Sequence, residues 1–295
     1  MQNPGDRLQL NHSRSFVPLL ILAVLIALSF LDYLLFHSVA EIFSIVIAFG
    51  IFFVSWNTRE YTEGDHFSFL GISLAIVGAV DVLHTLAYEG MGVFPAYTSN
   101  LPTQLWIIAR SYEAASLLAF PLLVARRINF RIVIPLLLVA GIAPVTLTFL
   151  RQFPDCFVPG QGLTLFKIIS EYIIIAVLAS AITFLLKKKS TFDGETLRLM
   201  ILALSATILG ELAFTLYINV YGISNMAGHF LKVLSFYFIY RATIERNLRR
   251  PFSFFFTELK RQQEVLSKSE KRYRLLYENS PASIYTWRYH EGDLF

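Results

Sequence analysis

Residues 67–94 read FSFLGISLAIVGAVDVLHTLAYEGMGVF. The first fourteen are apolar or small, the pattern of a helix crossing hydrocarbon, which needs about 20 such residues for ~30 Å. Asp81 and His84 then follow one helical turn apart, inside the same run. Ionisable groups are costly in lipid and as a rule face the interior of a helix bundle. This stretch therefore points to a polytopic membrane protein with a polar interior.

The rest of the chain fits that reading. Of its 295 residues, 55% are hydrophobic and 16% charged, and its mean hydropathy is +0.57. A water-soluble domain needs more charge to cover its surface. The net charge of +4 reflects basic loops and a basic tail, which is a topology signal and not a nucleic-acid footprint. Cys156 is the single cysteine, so no intrachain disulfide or thiolate metal framework exists. The first apolar block has no clear small-x-small cleavage site and is read as a true span, not a signal peptide.

Eight spans are expected: Phe16–Phe36, Val39–Trp56, Phe67–Tyr88, Leu105–Ala125, Ile132–Leu150, Leu163–Leu186, Arg198–Tyr221 and Met226–Tyr240. His37 and Ser38 would form a tight hairpin between the first two. Alternate loops are basic: Arg7 and Arg14, Arg59, Arg126, Arg127 and Arg131, Lys187 to Lys189 with Arg198, and the tail from Arg241. The opposite loops carry only Arg151. The positive-inside rule then places both termini in the cytoplasm. Trp56, Trp106, Tyr88, Tyr221 and Tyr240 fall at span ends, where either headgroup anchoring or ordinary packing accounts for them.

Ionisable residues cluster at one depth. At ~1.5 Å per residue, His84, Arg110, Lys167, Asp32 and His229 lie about 4–8 Å below the outer surface. Asp81, Glu113, Glu171 and Lys232 lie about 9–12 Å deep, Glu41 is shallower, and Glu211 is near the middle. The inner halves hold almost none, and the fifth span holds none. A transporter or pump needs polar groups through the full thickness. An outward-facing polar cup over an apolar floor suits a receptor instead. Arg110 with Glu113, Lys167 with Glu171, Asp81 with His84 and His229 with Lys232 each share a helix face. Arg110 at such depth needs a carboxylate, Asp81 or Glu113. The alternative is that these pairs only fix helix register. Six carboxylates exceed three Lys and Arg, which favours protonated acids or a cationic or donor-rich ligand.

The expected ligand-binding set is Asp81, His84, Tyr88, Arg110, Glu113, Lys167, Glu171, Glu211, His229 and Lys232, with no catalytic residue. His84 and His229 are also candidates for a metal or haem iron, and Lys232 a weaker one for retinal. No cofactor is identified. The loop 88–104, with Gly90, Gly92 and Pro95, reads as a lid over the cup or as an interfacial loop.

Beyond the last span, Phe252, Leu259, Leu266 and Tyr273 recur every seven residues, as at position a of a parallel coiled coil. Position d is Phe255, Gln262, Ser269 and Leu276, half apolar. A membrane-surface helix is the other reading. IYTWRY (284–289) reads as a first strand followed by an EGD turn, so the sequence is expected to stop inside a further domain. The expected organisation is a cytoplasmic tail (1–14), a membrane sensor domain (15–243), a signalling helix (244–276) and the beginning of a second fold (277–295).

DVLHTLAYEGMGVFP (81–95) and NLPTQLWIIARSYEAASLL (100–118) resemble the third MASE family, the bacterial and archaeal membrane-associated sensor domains. The resemblance spans about residues 15–245. YRLLYENSPASIYTW (273–287) resembles the opening of a PAS domain over a much shorter stretch. The resemblance implies an input module in the cytoplasmic (inner) membrane, usually dimeric, followed by PAS domains and a histidine kinase or cyclic-di-GMP-making output. It singles out Asp81, His84, Tyr88, Gly90, Met91, Gly92, Arg110 and Glu113. It names no ligand. The bilayer, a small or lipid-soluble ligand and a second copy are the partners it suggests, with no nucleic acid. The rival reading is a transporter-like or haem- or metal-binding redox membrane protein.

Overall fold

The computed structural model describes residues 20–61, 64–215 and 222–279, with the side chains of 245–258 left aside. The chain divides into two compact units, Met1–Asn247 and Leu248–Phe295. The first holds helices α1 (Leu20–Leu31), α2 (Tyr33–Asn57), α3 (His66–Ala87), α4 (Asn100–Leu122), α5 (Phe130–Phe149), α6 (Leu165–Lys187), α7 (Gly194–Thr215) and α8 (Ile223–Tyr240). A two-stranded hairpin, β1 (Phe157–Val158) with β2 (Gly162–Leu163), lies between α5 and α6. Among the described residues, α2, α3, α5, α6 and α7 are long and apolar enough to cross a membrane. A π-helical turn, Arg241–Glu245, follows α8 and precedes α9 (Arg246–Glu278).

The expected hairpin at His37–Ser38 does not exist. The break falls at Asp32, whose extended backbone and side chain cap α2: Leu35 N donates to Asp32 Oδ1 at 2.9 Å. A carboxylate accepting from the third residue onward is a standard helix start. His37 and Ser38 are consequently interior to α2, and Ser38 Oγ donates back to Leu34 O at 2.8 Å. Asp32 itself is exposed and leaves the polar cluster. The other boundaries move by a few residues. The C-terminal end of the expected seventh span (216–221), the N-terminal tail and the expected PAS-like strand lie outside the described residues.

The helices are arranged as a ring. α2 packs on α3, α3 on α4, α4 on α6, α6 on α7, α7 on α8, and α8 back on α2. α5 sits outside the ring against α3 and α4. α1 packs on α2 and α8 through Leu25, Phe36, Ala40 and Val233. The α2–α3 seam is close because glycines face it. A Cβ on Gly71 would stand 2.0 Å from Ser55 Oγ and 3.1 Å from Phe52 Cα. Small residues of this kind let membrane helices approach without a hydrophobic drive.

One end of the bundle carries the loops 88–99 and 150–164 and is called here the hairpin end. There Asn100, at the start of α4, holds the hairpin: its Oδ1 accepts from Cys156 N and Phe157 N at 2.8 and 3.0 Å, and its Nδ2 donates to Asp155 Oδ1 at 2.7 Å. The loop after α3 turns sharply where Gly90 and Gly92 adopt φ of 97° and 70°, values that glycine adopts without strain. Met91 then packs back onto the core, and Phe94 and Tyr97 pack beside Phe149.

Candidate functional site

The interior of the ring is ionic. Arg110 of α4 reaches across to Asp81 of α3, with Nη2 2.7 and 2.6 Å from the two carboxylate oxygens. Its Nη1 bonds Glu113 one turn along α4. Lys232 of α8 donates to Asp81 Oδ2 at 3.1 Å and to Glu41 Oε2 of α2 at 2.6 Å. Glu41 Oε1 stands 3.1 Å from His229 Nδ1. Glu113, Arg110, Asp81, Lys232, Glu41 and His229 thus form one chain of contacts spanning four helices, and each is at most 5% exposed. Arg is suited to this place because its planar fork satisfies two acids at once.

A second branch lies on α6 and α7. Lys167 pairs with Glu171, and its Nζ also donates to Phe214 O at 2.6 Å. Glu211 of α7 lies beside Arg110, Glu113 and Lys232 around a cavity of about 10 Å³. Every helix of the ring therefore contributes at least one buried ionisable residue, and α5 contributes none.

Toward the hairpin end the chemistry changes to imidazoles and aromatic rings. His37 Nε2 is 3.4 Å from His84 Nε2, and His84 Nδ1 is 2.8 Å from Pro102 O. His37 stacks on Tyr88 with centroids 3.6 Å apart and meets His229 edge-on at 4.7 Å. Tyr88 OH accepts from Asn225 Nδ2 at 3.1 Å. Trp106 joins the two zones. Lys232 Nζ and the Arg110 guanidinium stand 4.8 and 4.9 Å from its ring, close enough for cation–π attraction, and His84, His229 and Phe214 surround it. A cavity of about 20 Å³, room for roughly one water, runs from Glu89 and Ser99 inward to His84, Trp106 and His229.

Residues 28–251 match the MASE3 family, described as a membrane-associated sensor domain. The chain belongs to that family. No curated protein and no solved structure matches it. The MASE3 domain thus covers α2 to α8 and enters α9.

Within the MASE3 domain, all ten residues expected from sequence to form a ligand-binding set are buried or line this interior. They pair with one another more than they line open space. Arg110 takes both of the carboxylates offered as alternatives. Three participants, His37, Trp106 and Asn225, were missed. His37 was assigned to a turn, although its spacing of four residues from Glu41 was a readable sign of a shared helix face. Trp106, a candidate for a headgroup anchor, is 5% exposed inside the ring, as is Tyr88, which the expected set did include. Asn225 had no distinguishing signal.

Proposed function

We propose that this MASE3 domain is the sensory input module of a signalling protein of the bacterial or archaeal cytoplasmic membrane. The observation that carries the reading is Lys232. It stands on α8, the last helix before the cytoplasmic segment, and is bonded at once to Glu41 of α2 and Asp81 of α3. A ligand that alters the polar interior thereby alters what holds α8. A ligand shifts such an equilibrium only by binding two packings with different affinity. Asp81, His84, Tyr88, Arg110, Glu113, Lys167, Glu171, Glu211, His229 and Lys232 are the residues assigned to that response.

In the same reading, all eight helices α1–α8 span the bilayer with both termini inside, and the hairpin end faces outward. The signal passes through the π-helical turn and α9 to a PAS domain and a kinase or cyclase. Leu259, Leu266, Tyr273 and Leu276 of α9 are all more than half exposed in the single chain, which supports pairing with a second copy along that seam.

The test places a nitroxide on Ser267→Cys in a Cys156→Ser background and reads the label-to-label distance across the dimer. A stimulus-dependent distance change that Lys232→Met removes, with the protein still inserted, supports the reading. A distance unmoved by any condition that alters the polar interior refutes it.

A further inference from the structure

We infer that the hairpin end of the polar interior is a binding site for one divalent transition-metal ion, held by His37, Glu41 and His229, with His84 as fourth ligand. One ligand atom from each of His37, Glu41 and His229 lies within 4.8 Å of the other two. All three residues are at most 2% exposed. His37 and Glu41 share a face of α2, four residues apart, and His229 meets them from α8.

Two ligand separations are already those of a tetrahedral site. Imidazole nitrogens bound to zinc at ~2.0–2.1 Å under tetrahedral angles stand about 3.3 Å apart. His37 Nε2 and His84 Nε2 are 3.4 Å apart, and Glu41 Oε1 and His229 Nδ1 are 3.1 Å apart. The other separations among His37, Glu41 and His229 are within 4.8 Å.

Hydrogen bonding gives an independent indication. Among the described residues, His229 Nδ1 and Glu41 Oε1, two of the atoms that would bind the ion, are buried without a hydrogen-bond partner. Buried polar atoms are otherwise nearly always satisfied. Glu41 Oε1 and His229 Nδ1 approach to 3.1 Å, and one ion between them would satisfy both. His84 carries the outer support found on metal-binding histidines. Its Nδ1–H donates to the Pro102 carbonyl, which in the neutral ring leaves the Nε2 lone pair facing His37.

Glu41 supplies the anionic ligand that joins the neutral imidazoles in such a site. Lys232 does not block the site, because it occupies Glu41 Oε2 and leaves Oε1 to the metal. The cavity from Glu89 and Ser99 reaches His84 and His229, two of the four ligands, and supplies an entry path. Imidazole and carboxylate ligands without thiolate select zinc, cobalt, nickel, copper or ferrous iron over magnesium or calcium.

That the ion is the stimulus rests on the sensory reading above. Occupying Oε1 of Glu41 would weaken its hold on Lys232 and so release α8.

Metal-stripped protein in detergent is titrated with Co²⁺, and visible d–d bands and thermal unfolding are followed. One equivalent per chain should give tetrahedral-type bands, and Zn²⁺ should raise Tm where Mg²⁺ does not. His37→Gln and His229→Gln should each lose the bands, and Cys156→Ser should keep them. Wild-type protein with no bands and no zinc-dependent rise in Tm overturns the site without reliance on any variant's folding. Bands that survive in well-folded His37→Gln and His229→Gln proteins also overturn it. Stoichiometric binding with no change in the α9 label distance leaves the site standing and overturns the ion as stimulus.

Discussion

α5 and α3 are both membrane-length helices, of 20 and 22 residues, yet they are opposites. α5 is the more apolar, with hydropathy 2.4 against 1.9, but only 11% of its best window is buried, against 67% for α3. In water the more apolar segment would be the inner one. Here the relation is inverted, because lipid accepts apolar side chains as readily as the protein interior does. The interior is reserved for groups lipid rejects: Asp81 and His84 on α3, and their partners on α4, α2 and α8. Apolarity therefore marks which helix faces lipid, and polarity marks which helix is inside.

The largest effect should come from α3's ionic partner. Arg110→Met leaves Glu113 buried without its cation and Asp81 with Lys232 alone, and removing one member of such a set costs about 3–5 kcal/mol. Denaturation in detergent should show that loss, and adding Asp81→Asn with Glu113→Gln should recover part of it. Full stability in Arg110→Met would mean the interior is not held by charge, and the comparison would fail. Next in size is Gly71→Ala, which drives a methyl into Ser55 and the α2 backbone, at about 1–3 kcal/mol. The matching change on α5, Gly141→Ala, meets only the side chain of Ile76 within 3 Å and should cost less, since α5 lies outside the ring and can shift away from α3 where the α2 backbone beside Gly71 cannot. Equal losses at the two glycines would contradict the inside–outside assignment.

A third effect belongs to the hairpin end. Burial pushes the Cys156 thiol up to about 12 from an ordinary value near 9. The folded chain then holds a proton that the unfolded chain releases above pH 9. Stability falls as pH rises from 9 toward 12, and below 9 the thiol has no such influence. Maleimide labelling should be slow near pH 8 and should speed up in Asn100→Ala, which frees the loop. Cys156→Ser should flatten the alkaline loss; an unchanged alkaline profile would count against the assignment. The smallest effect is expected on α5. Ile142 is 58% exposed, and Ile142→Ala should change detergent stability by less than about 0.5 kcal/mol. A loss of several kcal/mol would mean that α5 is covered by something.

Much of this was legible in the sequence because membrane helices announce themselves by composition. Asp81, Arg110, Glu113, Lys167, Glu171, Glu211, His229 and Lys232 stood out as charges in apolar runs, and the one-turn spacing of Arg110 and Glu113 correctly implied a shared face. Three things were hidden. The break between α1 and α2 is made by Asp32 acting as a cap, which hydropathy counts only as one polar residue. That error turned His37 into a loop residue and removed it from the site. The role of Trp106 depends on helix rotation: as an aromatic ring near a span end it reads equally as a headgroup anchor or as packing. The pairing order around the ring was equally unreadable. Short loops predict neighbours, but α4 against α6 and α2 against α8 follow only from packing.

The contact that closes the ring joins Glu41 to Lys232, residues separated by 191 positions. Ribosomes deliver chain at about 5–20 residues per second. For roughly 10–40 s after Glu41 emerges, the lysine that will hold it has not been made. Asp81 waits almost as long, though Arg110 reaches it sooner. A helix inserted with an unescorted carboxylate must shelter that group at an interface, against water or as the neutral acid. The last helix is thus more than the exit of the domain. Its arrival is the event that turns an assembly of provisional helices into a finished ring.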